Sequence, residues 1–290
     1  MNPPRIALVT GAGGILGPSI CQALRQKGWL VAATDSTAEN LDRARVLCGG
    51  IFWDHDVAGN IASEDFCKAL VSDVGKRVGD IGLLVNNAAI PGRGSLDEIT
   101  EEAALSIFRV NVLAPLWLTR ACRGSLLRRR GSVINISSAQ TQAFCEKTHL
   151  YVASKAALEQ LTRSMASEFL GRGVRVNAIR VGRVPGAAFL RKWTDTLPPE
   201  AARELIERVM PVHLENARES MGPDAIGSPD GIASIVAFLA SEDSRFINGE
   251  ILTADGGFLA TSRDWEGQQL PGSNRANEAA EAWVAEWRKS

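Results

Sequence analysis

Seven short apolar runs, IALV, LVAA, IFW, IGLLV, SVINI, VRVNAI and GEILTA, are separated along most of the chain by longer stretches with helical spacing. This rhythm constrains the fold more than any other feature. The runs are too continuous for strands with one wet face, and an intervening helix is what carries a chain from one strand to a parallel neighbour. The pattern predicts an α/β protein built on a doubly wound, parallel, seven-stranded sheet with helices on both faces. That domain is expected over 1–258, with a C-terminal extension over 259–290. At 290 residues, 45% hydrophobic and 22% charged, the chain has the material for one such core.

Composition also removes several functions. A net charge of -1 with interspersed signs offers no polyanion-binding face, so neither nucleic acid nor an anionic membrane is an expected partner. The arginine run Arg128 to Arg130 precedes a glycine and a strand and reads as a solvated turn. Five cysteines, Cys21, Cys48, Cys67, Cys122 and Cys145, form an odd set without C-x-x-C spacing, and a strand begins too early to leave room for a signal peptide. These features predict a cytoplasmic protein. His55, His149 and His213 show no ligand spacing, so no metal site is expected.

The first apolar run passes straight into TGAGGILG, with glycines at Gly11, Gly14 and Gly17, and then into a helical pattern, SICQALRQKG. A strand that turns sharply into a helix while a pyrophosphate lies on its backbone needs residues without a Cβ. The unpaired amides of the helix then face the anion, and Pro18 gives up an N–H that no helical carbonyl would accept. The same glycines could serve a bare strand-to-helix turn. The second apolar run supplies the next test. It ends in Asp35, placed where a carboxylate takes the ribose hydroxyls of NAD and repels the extra phosphate of NADP; an Asp capping the next helix is the competing reading.

Further along, YVASK sets Tyr151 and Lys155 four apart in a helical pattern, on one face. An adjacent ammonium stabilises a phenolate, and this predicts that Lys155 lowers the Tyr151 pKa toward a working range. Ser138 closes the SVINISS strand, where the loops of an open parallel sheet carry chemistry, and its hydroxyl is suited to hold a carbonyl oxygen.

With these residues in place the chain resembles the short-chain dehydrogenase/reductase family, in most features its single-domain branch, over about residues 5 to 258. TGAGGILG is similar to the family's cofactor turn, NNAA at Asn86 to Ala89 to its NNAG segment, and Tyr151 with Lys155 to its YxxxK pair. Asp56 and Val57 fall where the family contacts adenine, and Asn111 in FRVNVLAP falls at its helical asparagine. The resemblance implies a Rossmann sheet and NAD-dependent hydride transfer to or from a secondary alcohol or ketone. Ser138, Tyr151, Lys155 and Asn111 would be catalytic: Tyr151 exchanges the proton, Ser138 holds the reacting oxygen, Lys155 also holds the nicotinamide ribose, and Asn111 anchors a relay water. Cofactor contacts would fall on Gly11, Gly14, Ile15, Leu16, Gly17, Asp35, Asp56, Val57, Asn87, Ala88, Ala89, Tyr151, Lys155, Gly182 and Val184. A homodimer or homotetramer, assembled through the helices of Asn111 and Tyr151, is also implied.

Three departures qualify the resemblance. Ile15 occupies the middle glycine position of the turn and Gly14 supplies the extra one, a spacing shared with nucleotide-sugar epimerases and dehydratases of the family. After the sixth strand, RVGRVPG puts Val181 in place of a proline and Gly186 in place of a threonine, which leaves room for a non-catalytic NAD-binding regulator. The region expected to cover the substrate, about 187–228, is longer than usual. Substrate contacts are expected from Ser138, Gln140, Cys145, His149, Arg93 and Arg183, and two arginines suggest a small-molecule substrate with an anionic group. In the extension, Ala280, Trp283, Val284 and Trp287 form one helical stripe that must bury itself, on its own subunit or on a neighbour.

Overall fold

The computed structural model describes residues 4–47, 50, 53–143, 147–184, 196–221, 226–261 and 273–288. Its sheet has seven parallel strands: β1 (Arg5–Thr10), β2 (Trp29–Asp35), β3 (His55–Ala58), β4 (Ile81–Asn86), β5 (Ser132–Ser138), β6 (Arg175–Val181) and β7 (Ile251–Ala254). They lie in the order β3-β2-β1-β4-β5-β6-β7. The chain starts at the centre, winds outward to β3, then crosses back beyond β1 to β4. That reversal opens a crevice at the carboxyl ends of β1 and β4, where an open α/β sheet binds its ligand.

Alternation along each strand supplies both faces. Ala7 and Val9 of β1 turn to one face with Ile134 and Ile136 of β5, where α1 (Gly17–Gln26) and α2 (Ala38–Leu47) lie and where α8 (Pro229–Leu239) packs across α1. Ile6 and Leu8 turn to the other with Val133 and Val176, under α3 (Glu64–Arg77), α5 (Ala114–Arg129) and α6 (His149–Glu168). Burial on both sides is why the central strands read as unbroken apolar runs. The doubly wound single domain expected from the sequence is what the chain forms.

The third strand is a correction. The run IFW was expected to be the strand, yet β3 begins at His55, paired with Ala32, and Trp53 lies before it as a core side chain 3% exposed. An edge strand has one neighbour and needs no apolar run, and HDVA is polar for that reason. Of IFW, Ile51 and Phe52 lie outside the described residues.

Between β4 and α5 the chain forms α4 (Glu101–Phe108) and then one wide π-turn, Arg109–Leu113. The expected covering region contains a 23-residue helix, α7 (Pro199–Met221). The C-terminal helix α9 (Ser273–Trp287) packs on it, and Ala280, Trp283 and Val284 join Leu205 and Val209 in a separate apolar cluster. The aromatic stripe is thus buried on its own chain, with Trp287 stacked on Trp283 at 6.4 Å. Among the described residues no helix is long and apolar enough to cross a membrane.

Candidate active site

The glycine turn is held from two sides. Gly11 has φ +64°, and a Cβ there would stand 2.8 Å from the Ala88 Cα, so the turn after β1 and the segment after β4 approach backbone to backbone. Asn87 clamps them, donating from Nδ2 to the carbonyls of Thr10 (3.0 Å) and Gly11 (2.9 Å). The Thr10 hydroxyl accepts from the Asn87 and Ala88 amides at 3.1 and 3.0 Å. Thr10 was not among the expected site residues. Gly14 closes the turn by donating to the Gly11 carbonyl at 3.0 Å, Ile15 stands exposed above it, and Leu16 and Gly17 lead into α1 with Pro18 in its first turn.

Asp35 does not cap α2. That duty falls to Thr37, whose hydroxyl accepts from the Asn40 amide at 3.2 Å. The Asp35 carboxylate instead reaches back to the glycine turn and accepts from the Gly13 amide at 2.9 Å, while Ser36 and Asn40 steady its other oxygen at 2.7 and 2.8 Å. The Ser36 hydroxyl bonds that same oxygen at 3.2 Å, whereas the oxygen held by Gly13 accepts one bond only and, with about two acceptor sites, keeps capacity for a ribose hydroxyl. The Asp56 side chain is less available than expected, because it pairs with Arg45 at 2.6 Å; Val57 accepts the Thr34 hydroxyl on its carbonyl, also at 2.6 Å. The turn, the bare backbone and the free acceptor capacity of Asp35 together fit a dinucleotide.

The residues expected to react lie at the carboxyl ends of β4, β5 and β6. Ser138 ends β5 opposite Val181 of β6, and its hydroxyl accepts from the Gln140 amide at 3.3 Å and bonds the Tyr151 phenol. One helical turn on, Lys155 is 2% exposed, donates to the Ile136 carbonyl at 2.7 Å and lies 5.8 Å from the Tyr151 ring centre. Burial lowers the Lys155 pKa to about 8. The expected depression of Tyr151 is not what the structure shows. Burial raises its pKa, opposed only by the Ser138 hydrogen bond, while the ammonium donates to a backbone carbonyl.

Asn111 sits in the π-turn, fully buried. Its Oδ1 accepts from the Ile90 amide at 2.9 Å, and its Nδ2 donates to the Ile90 carbonyl and the Ser154 hydroxyl, both at 3.0 Å. The side chain is therefore committed to joining the β4 loop to α6. A relay water would have to use the Asn111 carbonyl, from which Pro115, four residues on, withholds the usual helical N–H.

Gly182 explains itself by packing: a Cβ there would meet the Asp255 Cα at 2.5 Å, and its amide donates to the Ala254 carbonyl at 2.9 Å. Ala89 is exposed, and Val184 and Gln140 are half-buried. Arg93 and His149 line a cavity of about 270 Å³ with Ile107 and Leu150, and Arg183 follows β6, pinned by its carbonyl to the Gly227 amide at 2.9 Å. Cys145 and Gly186 lie outside the described residues. Sequence reading also missed Glu159, buried behind the Ser138 turn, and its half-buried partner Arg180 at 2.6 Å, which no local motif marks. Among the described residues no cluster of His, Cys, Asp or Glu is arranged to hold a metal ion.

Known proteins share this design. A family model described as enoyl-(acyl carrier protein) reductase matches residues 11–259. L-xylulose reductase of Mus musculus is 31% identical over 259 residues, covering 89% of this chain and 97% of that protein. The 3-oxoacyl-[acyl-carrier-protein] reductase of Thermotoga maritima is 29% identical over 257 residues, covering 88% and 98%. A solved structure from Beutenbergia cavernae, described as a candidate NAD(P)-dependent gluconate 5-dehydrogenase with NADP at low occupancy, superposes with a TM-score of 0.70 at 28% identity, over 89% of this chain and 98% of that one. A match across nearly the whole sheet, with the glycine turn and the Ser138, Tyr151 and Lys155 positions in one crevice, makes this chain a member of the short-chain dehydrogenase/reductase family of oxidoreductases.

Proposed function

We propose that the protein is an NAD-dependent dehydrogenase or reductase, moving a hydride between nicotinamide and a secondary alcohol or ketone. One observation carries the reading: the Ser138 hydroxyl and the Tyr151 phenol are hydrogen-bonded at the carboxyl edge of the sheet, with a buried Lys155 one turn behind them. Bound nicotinamide supplies the hydride chemistry. The protein supplies position and protons. A carbonyl oxygen entering beside them would take a hydrogen bond from the Ser138 hydroxyl and one from the Tyr151 phenol in place of the bond they make to each other, so charge growing there would be met by two donors. Because burial keeps the phenol protonated, Tyr151 stands ready as the acid that carbonyl reduction needs; alcohol oxidation runs the same proton back to it. Lys155 would hold the ribose hydroxyls and resupply the proton, with the Asn111 carbonyl as the anchor for a relay water.

Absorbance of NADH, followed with NAD and a panel of secondary alcohols and sugar acids, tests this reading. Tyr151→Phe is expected to lower kcat by about a thousandfold, with the affinity for NAD kept, since a positioned proton donor contributes ~10²–10⁴. An unchanged rate in the Tyr151→Phe variant overturns it.

NAD is preferred over NADP on this reading because Asp35 presents a carboxylate at the ribose, held by the turn that carries the pyrophosphate. The Beutenbergia relative with NADP makes the comparison worth measuring. Asp35→Ala is expected to shift the ratio of kcat/KM for NAD over NADP by about a hundredfold toward NADP, as like-charge repulsion is worth several kcal/mol. An unchanged ratio would place the discrimination elsewhere.

A further inference from the structure

We infer that the substrate carries an anionic group, a carboxylate or a phosphate, held between Arg93 and Arg183 at the mouth of the site. The inference rests on the hydride-transfer reading for the place of the reacting carbon and deepens it by naming the class of substrate.

The two arginines come from opposite sides of Ser138. Arg93 lies in the loop after β4 and Arg183 in the segment after β6, and Ser138 ends β5 between those strands. Both are fixed by backbone. Gly94, beside Arg93, donates to the Lys147 carbonyl at 2.8 Å, which ties this loop to the segment that opens α6. Arg183 bridges to Ile226. Arg93 lines the cavity of about 270 Å³ that also presents His149, and a Cβ at Gly92 would stand 3.4 Å from the Tyr151 amide, so the cavity adjoins the catalytic helix.

Neither guanidinium has a carboxylate partner among the described residues. Several other arginines near the sheet have found one: Arg45 pairs with Asp56, Arg128 with Asp80 and Arg180 with Glu159. Glu98 shares the cavity, but its carboxylate accepts from the Ser95 amide and hydroxyl at 2.7 and 2.9 Å. Arg183 is half-buried and feels the Arg93 charge, and burial and that like charge both hold its pKa below the ordinary arginine value. Arg93 lines the cavity and Arg183, at the end of the neighbouring strand, feels its charge; an anion entering between two such cations stabilises both, and guanidinium groups bind carboxylate and phosphate oxygens bidentately. An anion held there, beside the strand end that carries Ser138, suits a hydroxy acid or a sugar acid.

The test compares compounds that differ in the charged group alone: gluconate and sorbitol 6-phosphate against sorbitol, and 3-hydroxybutyrate against its methyl ester. Each is titrated calorimetrically into enzyme saturated with NADH, and each is assayed for hydride transfer. At least one acid is expected to bind, and to react, about ten- to hundredfold better than its neutral counterpart. Arg93→Gln and Arg183→Gln should each remove most of that preference while leaving the affinity for NADH unchanged. Acids that bind no tighter than their neutral counterparts overturn the inference. So does a preference that survives both substitutions, or an effect of the substitutions that falls on NADH alone. Acids that bind through the arginines without any hydride transfer would uphold the anion site and count against the dehydrogenase reading only.

Discussion

Lys155→Met is expected to lower kcat by about a thousandfold and yet to unfold at a temperature no lower than the unsubstituted protein. The two effects have one cause. Lys155 is an ammonium inside the core, hydrogen-bonded to the Ile136 carbonyl at 2.7 Å, and burial lowers its pKa from 10.5 to about 8. A depression of that size corresponds to on the order of 3 kcal/mol of destabilisation while the group stays charged. Methionine fills similar space without the charge, and the hydrogen bond lost with it is worth only ~1 kcal/mol. The pH dependence gives an independent reading of the same energy. Below pH 8 the native and unfolded chains both carry the proton, and the penalty is present in full. Between pH 8 and 10.5 the native state has released a proton that the unfolded chain still binds, so stability rises with pH. Urea unfolding across this range should show that rise in the native sequence and a flatter profile in Lys155→Met. A variant that is markedly less stable, or a parallel pair of profiles, would mean that the ammonium is satisfied where it lies.

Glu159→Ala is expected to destabilise the protein by about 3–5 kcal/mol, because it leaves a desolvated arginine without its counter-charge. Glu159 is 5% exposed, and its carboxylate accepts from Arg180 Nη2 (2.6 Å) and Nε (3.1 Å) and from the hydroxyls of Ser137 (2.7 Å) and Thr141 (2.9 Å). The Thr141 hydroxyl also lies 2.9 Å from the Ser138 carbonyl, so the carboxylate positions the turn that presents the Ser138 hydroxyl. Glu159 thus acts through Ser138 and touches no reacting atom, and kcat should fall more than KM rises. The double variant Glu159→Leu, Arg180→Leu should recover most of the stability, since two apolar side chains replace both charges at once. It should not recover kcat. Urea midpoints and steady-state rates of the three proteins separate these effects. Full recovery of kcat in the double variant would show that the turn needs packing alone.

The fold was legible because its signals are local. An apolar run flanked by helical spacing specifies a buried parallel strand whatever lies elsewhere in the chain, and β1, β2, β4, β5, β6 and β7 all fall on such runs. β3 was misplaced because its four residues, HDVA, are at most half-buried and form no apolar run, and its position is set by pairing to Ala32 through Asp35. The site divides in the same way. Tyr151 and Lys155 are four apart on one helix, so their juxtaposition follows from helical geometry. That Ser138 meets Tyr151, and that Asp35 returns to the Gly13 amide, depends on strands brought side by side from distant parts of the sequence.

Charge state was the least legible property. The sequence sets a phenol beside an ammonium and so predicts a lowered tyrosine pKa; the folded chain turns the ammonium to the Ile136 carbonyl, and desolvation raises the tyrosine pKa against the Ser138 hydrogen bond. Asn111 is similar, since its place in FRVNVLAP is readable but its commitment to Ile90 and Ser154 is not. The stripe of Ala280, Trp283 and Val284 announced that it would be buried, and only packing against α7 decided on what. By itself, then, the sequence determined the sheet, the glycine turn and the chemical types at the crevice, because periodicity and side-chain chemistry act over a few residues. Tertiary structure alone decided which groups touch, which are buried and which arginines are left without a carboxylate partner among the described residues, because those depend on contacts between residues far apart in the chain.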